Sequence, residues 1–163
     1  MVPVITVVVM GVAGAGKTTV GQALADRFGL PFLEGDAFHS PSSIAKLSRS
    51  EPLTDDDRWP WLDAINHELH DHPEGAVVAC SALTPAYRAR LDRGLDEVRY
   101  VLLDAPAEVL ADRLAHREGH FVGPGLLPSQ LRLLDPPPDA IRVDATLPLD
   151  AVVDDIATRL ASR

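Results

Sequence analysis

An apolar, largely β-branched run over residues 4–10 leads directly into Gly11-Val12-Ala13-Gly14-Ala15-Gly16-Lys17-Thr18. A segment with Val20, Leu24 and Phe28 at helical spacing follows at once, over residues 18–28, and is stopped by Gly29. No other stretch constrains the fold as tightly. A run without alternation predicts a strand buried on both faces, as in the centre of a parallel sheet. The eight residues after it match G-x-x-x-x-G-K-[ST] in full, and between a strand and a helix that pattern is a phosphate cradle. Its glycines let successive backbone N–H groups turn inward on phosphate oxygens, and the helix N-terminus adds the positive end of its dipole. Gly11, Val12, Ala13, Gly14, Ala15, Gly16, Lys17, Thr18 and Thr19 are therefore candidate contacts for the phosphates of a nucleotide. Lys17 is expected to reach the β and γ phosphates, and the Thr18 hydroxyl to ligate Mg²⁺.

The rest of the chain keeps the alternation. Strands are predicted at 31–34, 76–80, 99–103 and 141–143, and helices at about 41–49, 55–71, 85–93, 106–117, 129–134 and 149–161. This predicts an α/β P-loop NTPase fold, a five-stranded parallel sheet with helices on both faces. Residues 36–72 form an expected helical insertion, and the Gly/Pro-rich stretch 119–128 an expected mobile lid. Pro136-Pro137-Pro138 reads as a stiff connector into the last strand. A length of 163 residues fits one domain. No apolar run approaches the roughly 18 residues of a membrane span. With no cation before Lys17 and a single cysteine, Cys80, the expected location is the cytoplasm, without a secretory leader or a disulfide. A net charge of −9 argues against a nucleic-acid partner, because such proteins present a basic face to phosphates. An anionic ligand must then be met by local cations.

Guanine is disfavoured because the only asparagine, Asn66, and both lysines, Lys17 and Lys46, stand outside any Asn-Lys-x-Asp context. The third predicted strand ends Ala79-Cys80-Ser81 without a carboxylate, so a standard Walker B acid is missing. Glu34-Gly35-Asp36 closes the second strand at the sheet edge where the first strand delivers its loop. A carboxylate there can take a hydroxyl proton from an acceptor or hold Mg²⁺ through water. It can equally be a turn residue or helix N-cap. Asp55-Asp56-Asp57 reads as the acidic first turn of a helix, which the helix dipole explains. Arg58 offers a planar fork suited to a substrate carboxylate. Arg113 and Arg117 share a helix face leading into the lid, where they can close over phosphates or merely favour the helix C-terminus. The six histidines show no zinc spacing.

Taken together these residues resemble the gluconokinases, small P-loop kinases related in fold to shikimate and nucleoside monophosphate kinases. The resemblance covers nearly the whole chain. It rests on Met10 to Thr18, Phe32-Leu33-Glu34-Gly35-Asp36-Ala37-Phe38-His39, Ile44 to Leu47, Glu51 to Leu62, Cys80-Ser81-Ala82-Leu83 with Tyr87-Arg88, Arg113 to Phe121, Leu126-Leu127 with Ser129-Gln130-Leu131, and Asp144 to Pro148. It implies an ATP- and Mg²⁺-dependent phosphorylation of D-gluconate on its 6-hydroxyl, with ATP and D-gluconate as small-molecule partners, in a family that is often dimeric. It implies that Asp36 is the base or hydroxyl-orienting group, with Glu34 the competing carboxylate. It further places His39, Lys46, Arg58 and Arg88 near the polyol carboxylate, Arg113 and Arg117 at the nucleotide and lid, and Asp144 to Pro148 at the adenine. The chain departs from the family pattern at Glu34 for Asp, Ser40 for Pro, Ser43 for Asn, Ser50 for Gly and Thr84 for Lys. Of these, Ser43 and Thr84 are the two expected to alter how acceptor hydroxyls are held.

Overall fold

The computed structural model describes residues 5–116 and 124–162. In chain order these form β1 (Thr6–Met10), α1 (Lys17–Phe28), β2 (Phe32–Glu34), a 3₁₀ turn (Gly35–Phe38), α2 (Pro41–Ser48) and α3 (Asp55–His70). There follow β3 (Ala76–Ala79), α4 (Pro85–Leu91), β4 (Val98–Asp104), α5 (Ala107–Ala115), a second 3₁₀ turn (Pro124–Leu126), α6 (Leu127–Leu133), β5 (Ile141–Asp144) and α7 (Leu149–Ala161). The sheet is five-stranded and parallel, in the order β2-β3-β1-β4-β5. Each predicted strand and helix has its counterpart, with ends shifted by a few residues. The 3₁₀ turn after β2 carries no periodic signal and was not foreseen.

β1 lies in the middle with neighbours on both sides, and Val7, Val8, Val9 and Met10 are fully buried. That is why its sequence does not alternate. The chain leaves β1 towards β2 in one direction across the sheet, and every later crossover runs in the other. Right-handed crossovers therefore put α1 on one face and α3, α4 and α5 on the other. The contacts agree, since α1 packs against α7 and α3 against α4. The direction changes beside β1, which opens a crevice at the carboxyl ends of β1, β2 and β3.

Local chemistry ends each element that frames this crevice. Thr54 starts α3 with a reciprocal capping box, its hydroxyl accepting the Asp57 N–H while the Asp57 carboxylate accepts the Thr54 N–H. Gly29 ends α1 in a left-handed conformation at φ 66°. Gly35 lets β2 lie close against β3, because a Cβ there would stand 2.3 Å from the Ala79 carbonyl oxygen. Trp61 of α3 fixes the same point by donating its indole N–H to the Gly35 carbonyl at 2.7 Å. No helix among the described residues is long and apolar enough to cross a membrane.

Gly35→Ala is expected to destabilise the fold by about 1–3 kcal/mol, because the obstructing atom is backbone and cannot rotate away. A urea titration checks this: the midpoint should fall with little change in slope.

Candidate functional site

The crevice gathers residues from far apart in sequence. The first turn of α1 contributes Lys17 and Thr18, the turn after β2 contributes Asp36 and His39, α3 contributes Arg58 and Trp61, and α6 contributes Ser129 and Gln130. Ser81 and Leu83 close it below, after β3. Lys17 directs its ammonium back along the loop, donating to the Val12 carbonyl at 3.1 Å. Gly14 and Gly16 hold φ of 88° and 95°, conformations that turn the loop inward and that L side chains rarely adopt.

Two carboxylates stand at the end of β2. The Thr18 hydroxyl donates to the Glu34 carboxylate, whose other oxygen accepts the Asp36 backbone N–H at 3.2 Å. Glu34 is thereby tied to Thr18, while Asp36 faces the crevice beside His39. Hydroxyl and carboxylate oxygens are the donor set that suits a hard divalent cation. Among the described residues no group of three His, Cys, Asp or Glu could hold a metal ion by itself.

His39 is the most enclosed polar group here. Its side chain is 5% exposed, stacked on Trp61 with ring centroids 4.3 Å apart, and its Nδ1 has no partner among the described residues. Burial pushes the imidazole pKa below its ordinary value; the Asp36 carboxylate, 3.8 Å from Nε2, opposes this and the Arg58 guanidinium adds to it. A neutral ring is the result, able to donate or accept a hydrogen bond but not to serve as a fixed cation.

Arg58 supplies the cation. Its Nη1 donates to the Tyr87 hydroxyl at 2.8 Å, and that hydroxyl donates to Asp55 at 2.7 Å. The guanidinium also lies over the Tyr87 ring, 4.9 Å from its centroid. One edge of the fork is thus anchored and the other is left to the crevice. Asp55 and Asp57 therefore do more than answer the helix dipole. Asp57 caps α3 and binds Lys46 at 2.8 Å, and the hydrogen bond from Lys46 pulls the carboxyl down to about 2.

Lys46 and Arg88, expected near the polyol carboxylate, are placed elsewhere. Lys46 is committed to Asp57 at the junction of α2 and α3. Arg88 is buried, and donates to the backbone carbonyls of Ala82 at 2.9 Å and Asp135 at 2.7 Å, tying the segment after β3 to the segment after α6. Neither lines the crevice. Nor do Ser43 and Thr84. Ser43 is buried in the first turn of α2, and Thr84 is the N-cap of α4, its hydroxyl accepting the Tyr87 N–H. Ser50 stands at φ 57°, a conformation that glycine enters without a Cβ cost. Cys80, at the end of β3, is fully buried, and burial pushes its thiol up to about 12, so it stays protonated.

A second depression lies on the other side of the loop, formed by Gly14 to Gly16, Thr19, Arg113, Ala145, Leu147 and Leu149. Arg113 spans its floor, donating to Ala15 O at 3.4 Å and to Ala145 O at 2.6 Å. Leu147 and Leu149, the two large apolar side chains most exposed among the described residues, line it. Asp144 and Pro148 do not line it but shape the turn that does. The Asp144 carboxylate accepts both the backbone N–H and the hydroxyl of Thr146, bonds that lower its pKa, and Pro148 is the N-cap of α7. Arg117 lies outside the described residues, as do residues 119–123 of the expected lid; its remainder, 124–128, forms the second 3₁₀ turn and the start of α6.

Sequence reasoning missed Gln130 and Tyr87 as parts of the site. Both are brought in by contacts across many residues, and only their membership of the stretches that carry the resemblance hinted at them.

A family profile described as "AAA domain" matches residues 6–136. The chain is similar to the gluconokinase of Gluconobacter oxydans (strain 621H), at 47% identity over 156 residues, covering 91% of this chain and 87% of that protein. It is similar in structure to a gluconokinase from Sinorhizobium meliloti 1021, with a TM-score of 0.87 and 45% identity over 96% of this chain and 91% of that one. A deoxyadenosine kinase from M. mycoides with bound dATP shares the fold, at a TM-score of 0.66 and 14% identity over 96% of this chain and 99% of that one.

The placement of Arg88 gives it a scaffold role. Arg88→Met should cost roughly 1–3 kcal/mol, since it strips two buried carbonyls of their donors. Thermal denaturation without any ligand checks this: an unchanged midpoint would return Arg88 to a ligand-binding role.

Proposed function

Because the chain belongs to the gluconokinase family, we propose that it transfers the γ-phosphoryl group of ATP to the 6-hydroxyl of D-gluconate, giving 6-phospho-D-gluconate and ADP. The observation that carries this reading is the crevice itself. A phosphate loop with its lysine, a carboxylate and an anchored guanidinium open on one cavity. That is what is needed to hold a phosphoryl donor, a hydroxyl and a carboxylate together.

ATP lies with its triphosphate in the loop from Gly11 to Thr19 and its base against Leu147 and Leu149, over Arg113. Lys17 pairs with the β and γ phosphates. Thr18, with Glu34 behind it, is the protein's contribution to holding Mg²⁺, which when bound neutralises phosphate charge. Gluconate enters from the side of α3 with its carboxylate on the free edge of the Arg58 fork. Neutral His39 lines the same cavity, with its Nε2 turned to Asp36. The grip on the carboxylate sets the distal hydroxyl beside Asp36 and the γ-phosphoryl group. Asp36 orients that hydroxyl and takes its proton as the oxygen attacks phosphorus in line. The bond from phosphorus to the bridging oxygen breaks, and the electron pair leaves on ADP.

Arg58→Lys keeps the charge but loses the fork. The apparent KM for gluconate should rise about tenfold or more, while the KM for ATP stays close to its original value in a coupled ADP assay. Asp36→Asn should lower kcat by roughly 10²–10⁴, the range for a positioned acid–base group, with nucleotide affinity nearly intact. The comparison is Glu34→Gln under the same assay. If that variant loses turnover and Asp36→Asn keeps it, the two carboxylates exchange roles.

A further inference from the structure

Gln130 joins two parts of the molecule that the chain keeps 117 residues apart. Its side-chain Oε1 accepts the backbone N–H of Ala13 at 2.7 Å, so a residue of α6 is hydrogen-bonded to the middle of the phosphate loop. A backbone N–H can only donate, and this fixes which way the carboxamide faces: the oxygen is turned to the loop and the NH₂ group away from it. Gln130 also lines the crevice, with Lys17, Thr18 and Asp36. Among the described residues its Nε2 has no acceptor, and it is not among the buried unpartnered atoms. The neighbouring Ser129 has already spent its hydroxyl hydrogen on the Leu126 carbonyl, at 2.9 Å. Gln130 is therefore the side chain of α6 that brings a donor to this cavity.

We infer that the Gln130 carboxamide is a catalytic group that donates a hydrogen bond from Nε2 to an oxygen of the phosphoryl group in transit, while Oε1 holds it in place against Ala13. This rests on the kinase reading above and adds to it a residue and a role. The site needs such a group. The oxygens of the transferred phosphoryl group spread charge as the bond to the leaving group lengthens, and a donor fixed before the reaction stabilises that charge without reorganising. The amide passes no proton; it is a fixed dipole throughout. Because the same side chain is bonded to the loop that holds the donor phosphates, its NH₂ group is registered to them directly.

Gln130→Glu isolates the donor. The substitution preserves shape and keeps an oxygen for the Ala13 N–H, but replaces NH₂ with an oxygen that is anionic when ionised. Turnover with saturating ATP and gluconate is measured from about pH 8.5 to about pH 5.5, a span into which a carboxyl among phosphates is raised. At the alkaline end kcat should fall about 10²-fold against the unsubstituted chain, the loss seen when one such donor is removed. As the pH falls, the gap should narrow several-fold, because a protonated carboxyl can donate again. A variant as active as the parent at every pH would leave Gln130 only holding the loop, and overturns the proposal. A constant gap across the range, or a rise in gluconate KM with kcat unchanged, overturns it too. Absence of gluconate-dependent ADP release by the unsubstituted chain would instead overturn the function on which the proposal rests.

Discussion

Backbone N–H groups cannot be aimed at one point by a chain confined to negative φ. The reversal after β1 therefore rests on glycines, and everything else at the carboxyl edge of the sheet is arranged around it. Gly16 has open space about it and is required by its backbone conformation alone. Gly14 is required twice, by φ and by the Leu110 carbonyl oxygen, which a Cβ would approach to 2.9 Å. α5 can thus lie directly on the loop. From that position Arg113 reaches both the loop and the turn after β5, so the depression assigned to the base is built by the packing that makes the cradle.

The same edge shows how an acidic protein binds two anions. Its net charge is −9, so attraction at long range is unfavourable and each cation must act locally. Arg58 is held by one edge against Tyr87 and presents the other. Arg113 braces the second depression from below. Arg88 lies over the Tyr100 ring and donates to backbone carbonyls, and the planar fork that would suit a carboxylate bridges two segments that would otherwise leave acceptors unpaired. Residue type alone did not separate these three tasks. What separates them is burial and the partner on each nitrogen.

That difference marks how far the sequence could be read. Strand and helix positions were legible because each carries its own periodicity, and the phosphate loop because its chemistry is contiguous. Asp36 was legible as a candidate because a residue ending a parallel strand must lie at the functional edge. The fate of Lys46 was not, since it depends on Asp57 also serving as the cap of α3, a pairing across two helices. Thr84 has a hydroxyl that could face a ligand or a backbone N–H, and only the start of α4 decides between them. The role of Gln130 was not legible for the opposite reason: its partner is a main-chain group, which has no signature in sequence.

Both tryptophans of the chain belong to α3. Trp61 lines the crevice, stacked on His39 and bonded to the turn that carries Asp36. Trp59 meets Tyr87 edge to face at 5.8 Å, next to the anchor of Arg58. The second depression, on the far side of the loop, has no indole. The tryptophan emission of this protein therefore arises beside the crevice. It is a built-in optical probe of that crevice rather than of the second depression.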